Sequence, residues 1–542
     1  MATSPTISDY LQYANLQMAG EAFIRDPEKN TFSPSGVALV AALTEGNRHA
    51  SRFTATQATQ FAAEWEAVDQ RANTPTGFSG TLFKNKATGE LVMSFRSTEF
   101  VDDAARDNQA TNAMEIKAYG FAFGQIRDME VWYKELREDG RIPEGAAFSV
   151  TGYSLGGHLA TAFNMLHGKE TLADGSLRVQ QVVTFNGAGI GGLDTGPAGL
   201  EQLIKEFTRL SLNVSEHEFT FSDATLGDLY ARARVALKDG GKLTEPDRQL
   251  LASIITPAPD ATTVYDPQTR QQALMIQQAI SRIETIRAEV LRLTGVSASD
   301  GGKPAKVDDT AIGQESLDYQ MAVLTVKAHT SAAGLLDGLA QAYGDKAYVD
   351  KQYRFANQFD VVGATTPSAV ANSQWHTGKD VQVFIEDQPT VRGGIVDNIL
   401  LTSLRYADVK MLVDGYDKKD FGDTHSLVLL VDSLSVQNTL LQMLPVGERA
   451  ATTEALKQIL ANASYLKRVN GATVVGQHQG KAEGDVLENV VNALADLTLG
   501  PAQPRLSGSA ASNAGGAFHS FMRHFAGSGV GRAASAEQEA LV

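Results

Sequence analysis

The chain has 542 residues, of which 43% are hydrophobic and 20% are charged, a composition typical of a water-soluble globular protein with two or three structural units. Its net charge of −16 argues against nucleic acid as a partner and against electrostatic binding to anionic lipid, but not against apolar capture of a neutral lipid. The absence of cysteine excludes disulfides, thiolate metal sites and a cysteine nucleophile.

The two ends of the chain bear on its location. The N-terminus lacks the basic and apolar regions of a Sec-type signal peptide, and no apolar run reaches the roughly 18 to 20 residues that a membrane span requires. The tail 537–542 is acidic and ends in apolar residues, as in a C-terminal export signal, although a frayed terminus is a more common origin of such a tail. We therefore expect an extracellular protein exported by a signal-peptide-independent route, with the cytoplasm as the alternative and the oligomeric state left open.

The first 198 residues alternate between helical and extended patterns. Residues 1–70 have helical apolar spacing, and the segments 78–83 and 91–95 predict two strands of a hairpin around a glycine-containing turn. A helix is predicted over 112–138, followed by buried strands at 147–150 and 181–185. This βαβ succession predicts a parallel sheet with right-handed crossovers.

Regular alternation stops after the strand at 181–185. Residues 199–345 are rich in helical patterns, and 269–293 alone predict one helix of roughly 37 Å. Isoleucines at helical spacing in that helix, beginning at Ile276, are typical of a helix-bundle core rather than of a cofactor site. The segment is interpreted as a helical cap inserted between two strands of the core.

The strand pattern resumes in the second part of the core, 346–445. Strands are predicted at 353–362 and 381–385, and either a strand or a helix at 426–431. The final region, 446–542, is predicted to be a helical extension with a flexible linker near 500–516, where proline, glycine and serine accumulate.

A short motif, Gly152-Tyr-Ser-Leu-Gly156, carries the strongest indication of chemistry. A bare Gly-x-Ser-x-Gly is weak evidence, but here an apolar strand precedes it and an amphipathic helix follows. Strand, sharp turn and helix form a nucleophile elbow, which holds Ser154 in a strained backbone conformation and requires very small residues two positions to either side. The alternative is a glycine-rich βα turn with an incidental serine. The motif in this setting predicts the α/β class, and within it an α/β-hydrolase fold with a mostly parallel central sheet and a large helical cap.

A nucleophilic serine needs a base, and on this kind of sheet the histidine comes last in chain order. His425 is the preferred candidate because it ends a polar, glycine-containing loop that runs into an apolar segment. His376, which follows a tryptophan in another loop, is the second candidate. His158 lies one turn along the elbow helix and is interpreted as structural, whereas His167 and His217 are expected at the surface.

The remaining parts of the catalytic set are an orienting acid and donors for the oxyanion. Asp360 ends the run 353–359, so its carboxylate is expected at the carboxyl end of the sheet; a turn-forming aspartate is the alternative, and Asp194, Asp414 and Asp417 are reserves. The backbone N–H of Leu155 and the amide and hydroxyl of Thr98, in the loop after 91–95, are the candidate oxyanion donors. This chemistry requires no metal or cofactor.

Four segments, Phe95-Arg-Ser-Thr-Glu99, Thr151-Gly-Tyr-Ser-Leu-Gly-Gly157, Asn357-Gln-Phe-Asp-Val-Val362 and Asp423-Thr-His-Ser426, occur in the order seen in class three (fungal-type) lipases. The chain resembles the bacterial branch of that family over about 75–200 and 350–435. The family usually has glycine at the position of Ser97. The resemblance implies a carboxylic ester hydrolase with Ser154 as nucleophile, Asp360 as orienting acid, His425 as base, and Thr98 with Leu155 as the oxyanion hole.

The sequence therefore predicts a triacylglycerol lipase or esterase acting on lipid esters, with a lipid interface as a further partner. A phospholipase A1 is the first alternative. A catalytically inactive hydrolase fold used as a binding module is the second, and a peptidase with the same triad is a distant third.

Overall fold

A computed structural model describes most of the first 332 residues and parts of the remainder. The described residues are 5–26, 31–47, 53–99, 105–191, 196–212, 219–259, 261–296, 312–332, 356–363, 378–382, 466–469 and 472–475, with Leu427, Leu430, Val431, Leu434, Ser435 and Asn438.

A seven-stranded mixed sheet organises the described residues, with its strands side by side in chain order. The strands are β1 (Trp65–Arg71), β2 (Gly80–Asn85), β3 (Leu91–Phe95), β4 (Phe148–Tyr153), β5 (Val179–Phe185), β6 (Gln358–Gly363) and β7 (Lys379–Gln382). The first three pair antiparallel, and every pair from β3 to β7 is parallel. The predicted α/β class and mostly parallel sheet are therefore confirmed.

The helices before β5 flank this sheet. They are α1 (Ile7–Glu21), α2 (Gly36–Glu45), α3 (Ala55–Glu64), a π-helix (Ala105–Ile116) that continues into α4 (Lys117–Tyr119), α5 (Phe123–Glu138) and α6 (Leu155–His167). Strand residues alternate between two apolar cores because successive side chains point to opposite faces. Met93 and Phe95 pack with α5 and α6, whereas Val92 packs with α1 and α3.

A run of helices lies between β5 and β6. It comprises α7 (Gly196–Leu212), α8 (Ala224–Ala236), α9 (Glu245–Ile255), α10 (Pro267–Val296) and α11 (Leu317–Ala332), with short 3-10 turns at Lys238–Gly240 and Gly313–Glu315. Side chains of α7 and α11 join the core on the α5 and α6 face, while α8, α9 and α10 bury a separate apolar cluster. Arg282 of α10 donates to the Tyr119 hydroxyl (3.2 Å) and to the Met114 carbonyl (3.1 Å), which ties the insertion to the π-helix and α4.

Several local predictions differ from the structure. The helix predicted over 112–138 is interrupted at Gly120, whose φ of 85° places it in the left-handed region. Residues 65–70 belong to the segment predicted to be helical, but with Arg71 they form strand β1. Of the strand or helix predicted at 426–431, the described residues between 427 and 438 bear out the helix.

The C-terminal extension lies largely outside the described residues, and so does the predicted linker at 500–516. Its described part is an antiparallel ribbon of β8 (Leu466–Val469) and β9 (Ala472–Val475), where helices were expected. None of the described helices combines the length and the apolar character needed to cross a bilayer.

Candidate active site

Ser154 occupies the sharp turn between β4 and α6. Its φ of 52° and ψ of −117° lie in a region that non-glycine residues rarely adopt, which costs about 1–3 kcal/mol and persists only where surrounding contacts enforce it. Those contacts are hydrogen bonds: the Ser154 amide donates to the Phe185 carbonyl (3.1 Å), and its carbonyl accepts from the Ala188 amide (2.8 Å). The predicted strand, turn and helix around Ser154 are present, and Ser154 is half-buried at the tip.

Glycines let three backbones meet around this turn. A Cβ atom on Gly152 would lie 2.0 Å from the Gly156 carbonyl oxygen, and one on Gly156 would lie 2.1 Å from the Phe95 carbonyl oxygen. Gly156 therefore brings the first turn of α6 against the end of β3. Because the first amides of a helix lack intrahelical partners and carry partial positive charge, the start of α6 beside Ser154 is a favourable place for a negative charge.

The segment Arg96–Glu99 after β3, named the oxyanion loop for the role predicted for Thr98, is held by buried charges. Arg96 pairs with Glu99 (3.0 Å) and donates to the Gly20 and Ala22 carbonyls (3.3 and 3.1 Å) at the C-terminal end of α1. A guanidinium is favourable there because the helix dipole is negative at that end. These contacts fix the loop to the C-terminal end of α1.

Thr98 is buried within this loop. Its hydroxyl oxygen accepts a hydrogen bond from the Asn112 side-chain amide (2.8 Å), so the hydroxyl proton is available to donate elsewhere. The Asp107 carboxylate accepts from the amide of the next residue, Glu99 (2.9 Å). Both partners come from the π-helix, and neither Asn112 nor Asp107 was identified from sequence, since no local spacing links them to Thr98.

A third unpredicted residue, Glu21, contacts the loop from α1. The buried carboxylate of Glu21, the last residue of α1, accepts from the Ser97 amide (2.9 Å) and from the Ser97 hydroxyl (2.7 Å). Ser97 therefore binds Glu21 through its side chain as well as its backbone.

His158 is structural, as predicted. Its Nε2 accepts from the Ala122 amide (3.1 Å), so the ring proton resides on Nδ1, which donates to the Gly189 carbonyl (2.7 Å). The neutral ring links α6 to residues on both sides of it and has no nitrogen left for proton transfer.

His167, expected at the surface, is half-buried and held between two carboxylates. Its two ring nitrogens lie 2.6 Å from Glu170 and 2.8 Å from Glu130. Burial alone would lower the pKa of His167, but hydrogen bonds to the two carboxylates raise that pKa to about 9. The ring is therefore cationic at neutral pH and cannot act as a general base; His217 lies outside the described residues.

Asp360 also departs from its predicted position. It is the third of six residues of β6, level with Val183 of β5, rather than at the carboxyl end of its strand. Thr151 occupies the same level on β4, so Asp360 lies three residues, about 10 Å along the strands, below Ser154. Burial raises the pKa of Asp360, opposed by the Gln358 amide and the Lys379 charge.

The predicted base, His425, lies outside the described residues, as do His376, Asp194, Asp414 and Asp417. Leu427, two residues beyond His425, is described and buried in the core under α1. Its backbone hydrogen-bonds the phenol of Tyr153, the residue immediately before Ser154.

Comparisons with known proteins add little. No protein-family model matches the chain, and no curated protein matches its sequence. A solved structure with some likeness is the Lip2 lipase from Yarrowia lipolytica, at 17% identity and a TM-score of 0.21, with the match covering 36% of this chain and 62% of the lipase chain. A likeness of this size, spanning less than two thirds of that lipase, is too small to assign a fold family or an activity.

Proposed function

We propose that the protein is a serine carboxylic ester hydrolase of the α/β-hydrolase fold that acts on lipid esters. The observation that carries the proposal is the strained backbone of Ser154 at a strand-to-helix turn, with the oxyanion loop in backbone contact with the first turn of that helix. An incidental serine in a glycine-rich turn has no need of φ near 52°, which glycine would adopt without strain.

In the proposed reaction, Ser154 Oγ attacks the ester carbonyl carbon as its proton passes to the imidazole of His425. The Leu155 and Thr98 N–H groups, with the Thr98 hydroxyl, stabilise the negative carbonyl oxygen of the tetrahedral intermediate. The imidazolium then protonates the leaving alcohol, which departs as the acyl-enzyme forms. Water, deprotonated by the same imidazole, attacks the acyl-enzyme and releases the carboxylic acid and Ser154.

Two observations support the choice of His425 as base. His158 and His167 are the histidines whose side chains are described, and hydrogen bonds commit both to other partners. The hydrogen bond from the Leu427 backbone to Tyr153 holds the chain two residues beyond His425 against the elbow.

The helices α7–α11 are proposed to cover the site and to open at a lipid interface. Triacylglycerols and simple esters are the proposed substrates. The alternative is a phospholipase A1, which hydrolyses the sn-1 ester of a phospholipid. A panel of glycerides and phosphatidylcholine separates the two substrate classes, because the bond cleaved is an ester in both.

A fluorophosphonate probe tests the proposal directly. It should phosphonylate one serine, which peptide mass spectrometry should identify as Ser154, because only an activated hydroxyl attacks phosphorus rapidly. His425→Asn should slow labelling by at least about 10²-fold through loss of the general base. His376→Asn is the matched control and should be labelled at the wild-type rate. If instead His376→Asn is labelled slowly and His425→Asn at the wild-type rate, His376 is the base. Absence of any labelling would refute the proposal.

Asp360→Asn tests the orienting acid separately. Amidation of an acid that orients the base lowers kcat by about 10⁴-fold, whereas amidation of a buried acid under α1 changes kcat only a few-fold. Because Asp360 lies in the middle of β6, we expect kcat to change only a few-fold. We also expect the variant to be more stable than wild type at pH 8, because the amide leaves no charge to bury. Urea unfolding and ester turnover measure the two effects, and a 10⁴-fold loss of kcat would identify Asp360 as the orienting acid instead of Asp194, Asp414 or Asp417.

A further inference from the structure

The oxyanion loop and the end of β3 are bound by two residues on one face of α1. Gln17 and Glu21 are four positions apart and therefore neighbours on the helix. The Gln17 amide donates to the Phe95 carbonyl (2.8 Å) and to the Glu21 carboxylate (2.7 Å), while its own oxygen accepts from the Ser94 hydroxyl (3.0 Å). Glu21 completes the set by accepting both donors of Ser97.

The position of this carboxylate is costly for the fold. Glu21 is 1% exposed and lies at the C-terminal end of α1, where the helix dipole disfavours an anion. Arg96, a cation that acts electrostatically on Glu21, makes its ion pair with Glu99 instead. A neutral side chain of the same shape would avoid both penalties, so the retained charge needs a reason other than stability.

The location of Glu21 supplies such a reason. The Ser97 amide that it holds is one peptide unit before Thr98, a candidate oxyanion donor. Its carboxylate is also close enough to act electrostatically on the Tyr153 phenol, next to Ser154. One carboxylate therefore contacts the loop that carries an oxyanion donor and lies beside the strand that carries the nucleophile.

We propose that Glu21 is a positioning residue, whose ionised carboxylate holds the Ser97 amide and hydroxyl and thereby sets the Thr98 donors relative to Ser154. This role rests on the ester hydrolase function proposed above. Protonation converts one carboxyl oxygen from acceptor to donor, so the three donors from Ser97 and Gln17 can no longer all be satisfied and the loop loosens.

Glu21 titrates in a range that matters for activity. Burial raises the pKa of Glu21 to about 7, against the opposing effects of the Ser97 hydrogen bonds and the Arg96 charge. Among the described residues, two titratable or charged groups act on the Glu21 carboxylate: Arg96 of the oxyanion loop and Tyr153 of β4. Its other polar neighbours are neutral: Gln17 of α1, Ser97 of the loop, and the Asn47 amide that donates to the Glu21 carbonyl. Activity should therefore fall on acidification through two protonations, that of the catalytic base and that of Glu21.

The test is the pH dependence of kcat for a soluble ester in wild type and Glu21→Gln. Above pH 7, Glu21→Gln should lower kcat about tenfold with KM unchanged, since oxyanion donors act in the transition state. On the acidic side, log kcat of Glu21→Gln should fall with a slope of one per pH unit, against a slope of two in wild type. Ser97→Ala should keep two protonations but move one to higher pH, because the carboxylate loses a hydrogen bond that favours its charged form.

A matched control separates positioning from the general effect of a buried acid. Glu115 is equally buried, and burial raises its pKa to about 7 as well, but it contacts Tyr319 and the start of α5 rather than the oxyanion loop. Glu115→Gln should retain the wild-type kcat and the two-proton slope. If Ser154 is labelled in all variants and Glu21→Gln keeps the wild-type kcat and pH slope, the role of Glu21 is refuted while the hydrolase function stands. If the wild-type protein is not labelled and does not hydrolyse ester, the hydrolase function itself is refuted.

Stability supplies a readout that does not depend on activity. Because the folded-state pKa of Glu21 is raised above its ordinary value of 4.5, its contribution to stability is complete below pH 4.5 and is lost as pH rises to 7. Urea unfolding at pH 5 and pH 8 should therefore show a smaller loss of stability in Glu21→Gln than in wild type, and equal losses would contradict a buried ionisation at this site.

Discussion

Ser154→Ala should lower kcat for ester hydrolysis by a factor on the order of 10⁶, which leaves only the residual rate that oxyanion donors and binding provide. The alanine cannot form the acyl-enzyme, whereas the strand, the helix and the oxyanion loop stay in place. Turnover of p-nitrophenyl esters by purified protein, corrected for the spontaneous rate, measures the loss. Retention of more than about 1% of wild-type kcat would show that another residue is the nucleophile.

Two further serine variants sharpen this experiment. Ser154→Gly should be equally inactive but more stable than wild type by about 1 kcal/mol or more, because glycine adopts a φ of 52° without strain. Ser149→Ala changes a buried serine of the same strand away from the turn, and it should keep kcat within a few-fold of wild type. A gain of stability together with loss of activity would mark Ser154 as a residue kept for chemistry.

Gly156→Ala should destabilise the protein by several kcal/mol and abolish labelling of Ser154. In an exposed helix the same substitution would stabilise by about 1 kcal/mol. Here the new Cβ would lie 2.1 Å from the Phe95 carbonyl oxygen and 3.0 Å from the Arg96 carbonyl oxygen, and both are backbone atoms that cannot rotate away. Helix α6 and the oxyanion loop must separate, so the overlap outweighs the gain in helix propensity.

The control for this prediction is Gly145→Ala, in the loop before β4. A Cβ atom at Gly145 would meet no atom within 4 Å, so the variant should match wild type in stability and labelling. Urea unfolding and fluorophosphonate labelling of both variants measure the difference. Equal behaviour of the two would mean that the close approach of α6 to β3 is not required.

Features set by neighbours in the chain were predicted well from sequence. The β2–β3 hairpin follows from two apolar runs around a turn, and the strand, turn and helix around Ser154 follow from apolar periodicity and glycines two residues to either side. Both depend on contacts within about ten residues, which composition and spacing encode directly. Gly120 was missed because one left-handed glycine interrupts a pattern that otherwise continues through it.

Features that depend on strand register were not predictable in the same way. Asp360 was expected at the end of its strand, but the pairing of β5 with β6 places it three residues before the end. A shift of this size changes the distance to Ser154 by about 10 Å while leaving the local pattern unchanged. Likewise, His167 lacks any sequence signal for burial, because its partner Glu130 is 37 positions away.

The sequence by itself determined the strand, turn and helix around Ser154, since the apolar periodicity and the glycines that predict them lie within about ten residues. The hydrogen bonds with distant Phe185 and Ala188 that enforce the strained turn came from the tertiary structure. Tertiary structure decided how the oxyanion loop is held: Glu21 and Ser97 are 76 positions apart and meet only because α1 packs across the end of β3. Hydrogen bonds between distant residues leave no periodic trace in a sequence, because the two residues become neighbours only once the sheet and its helices have assembled.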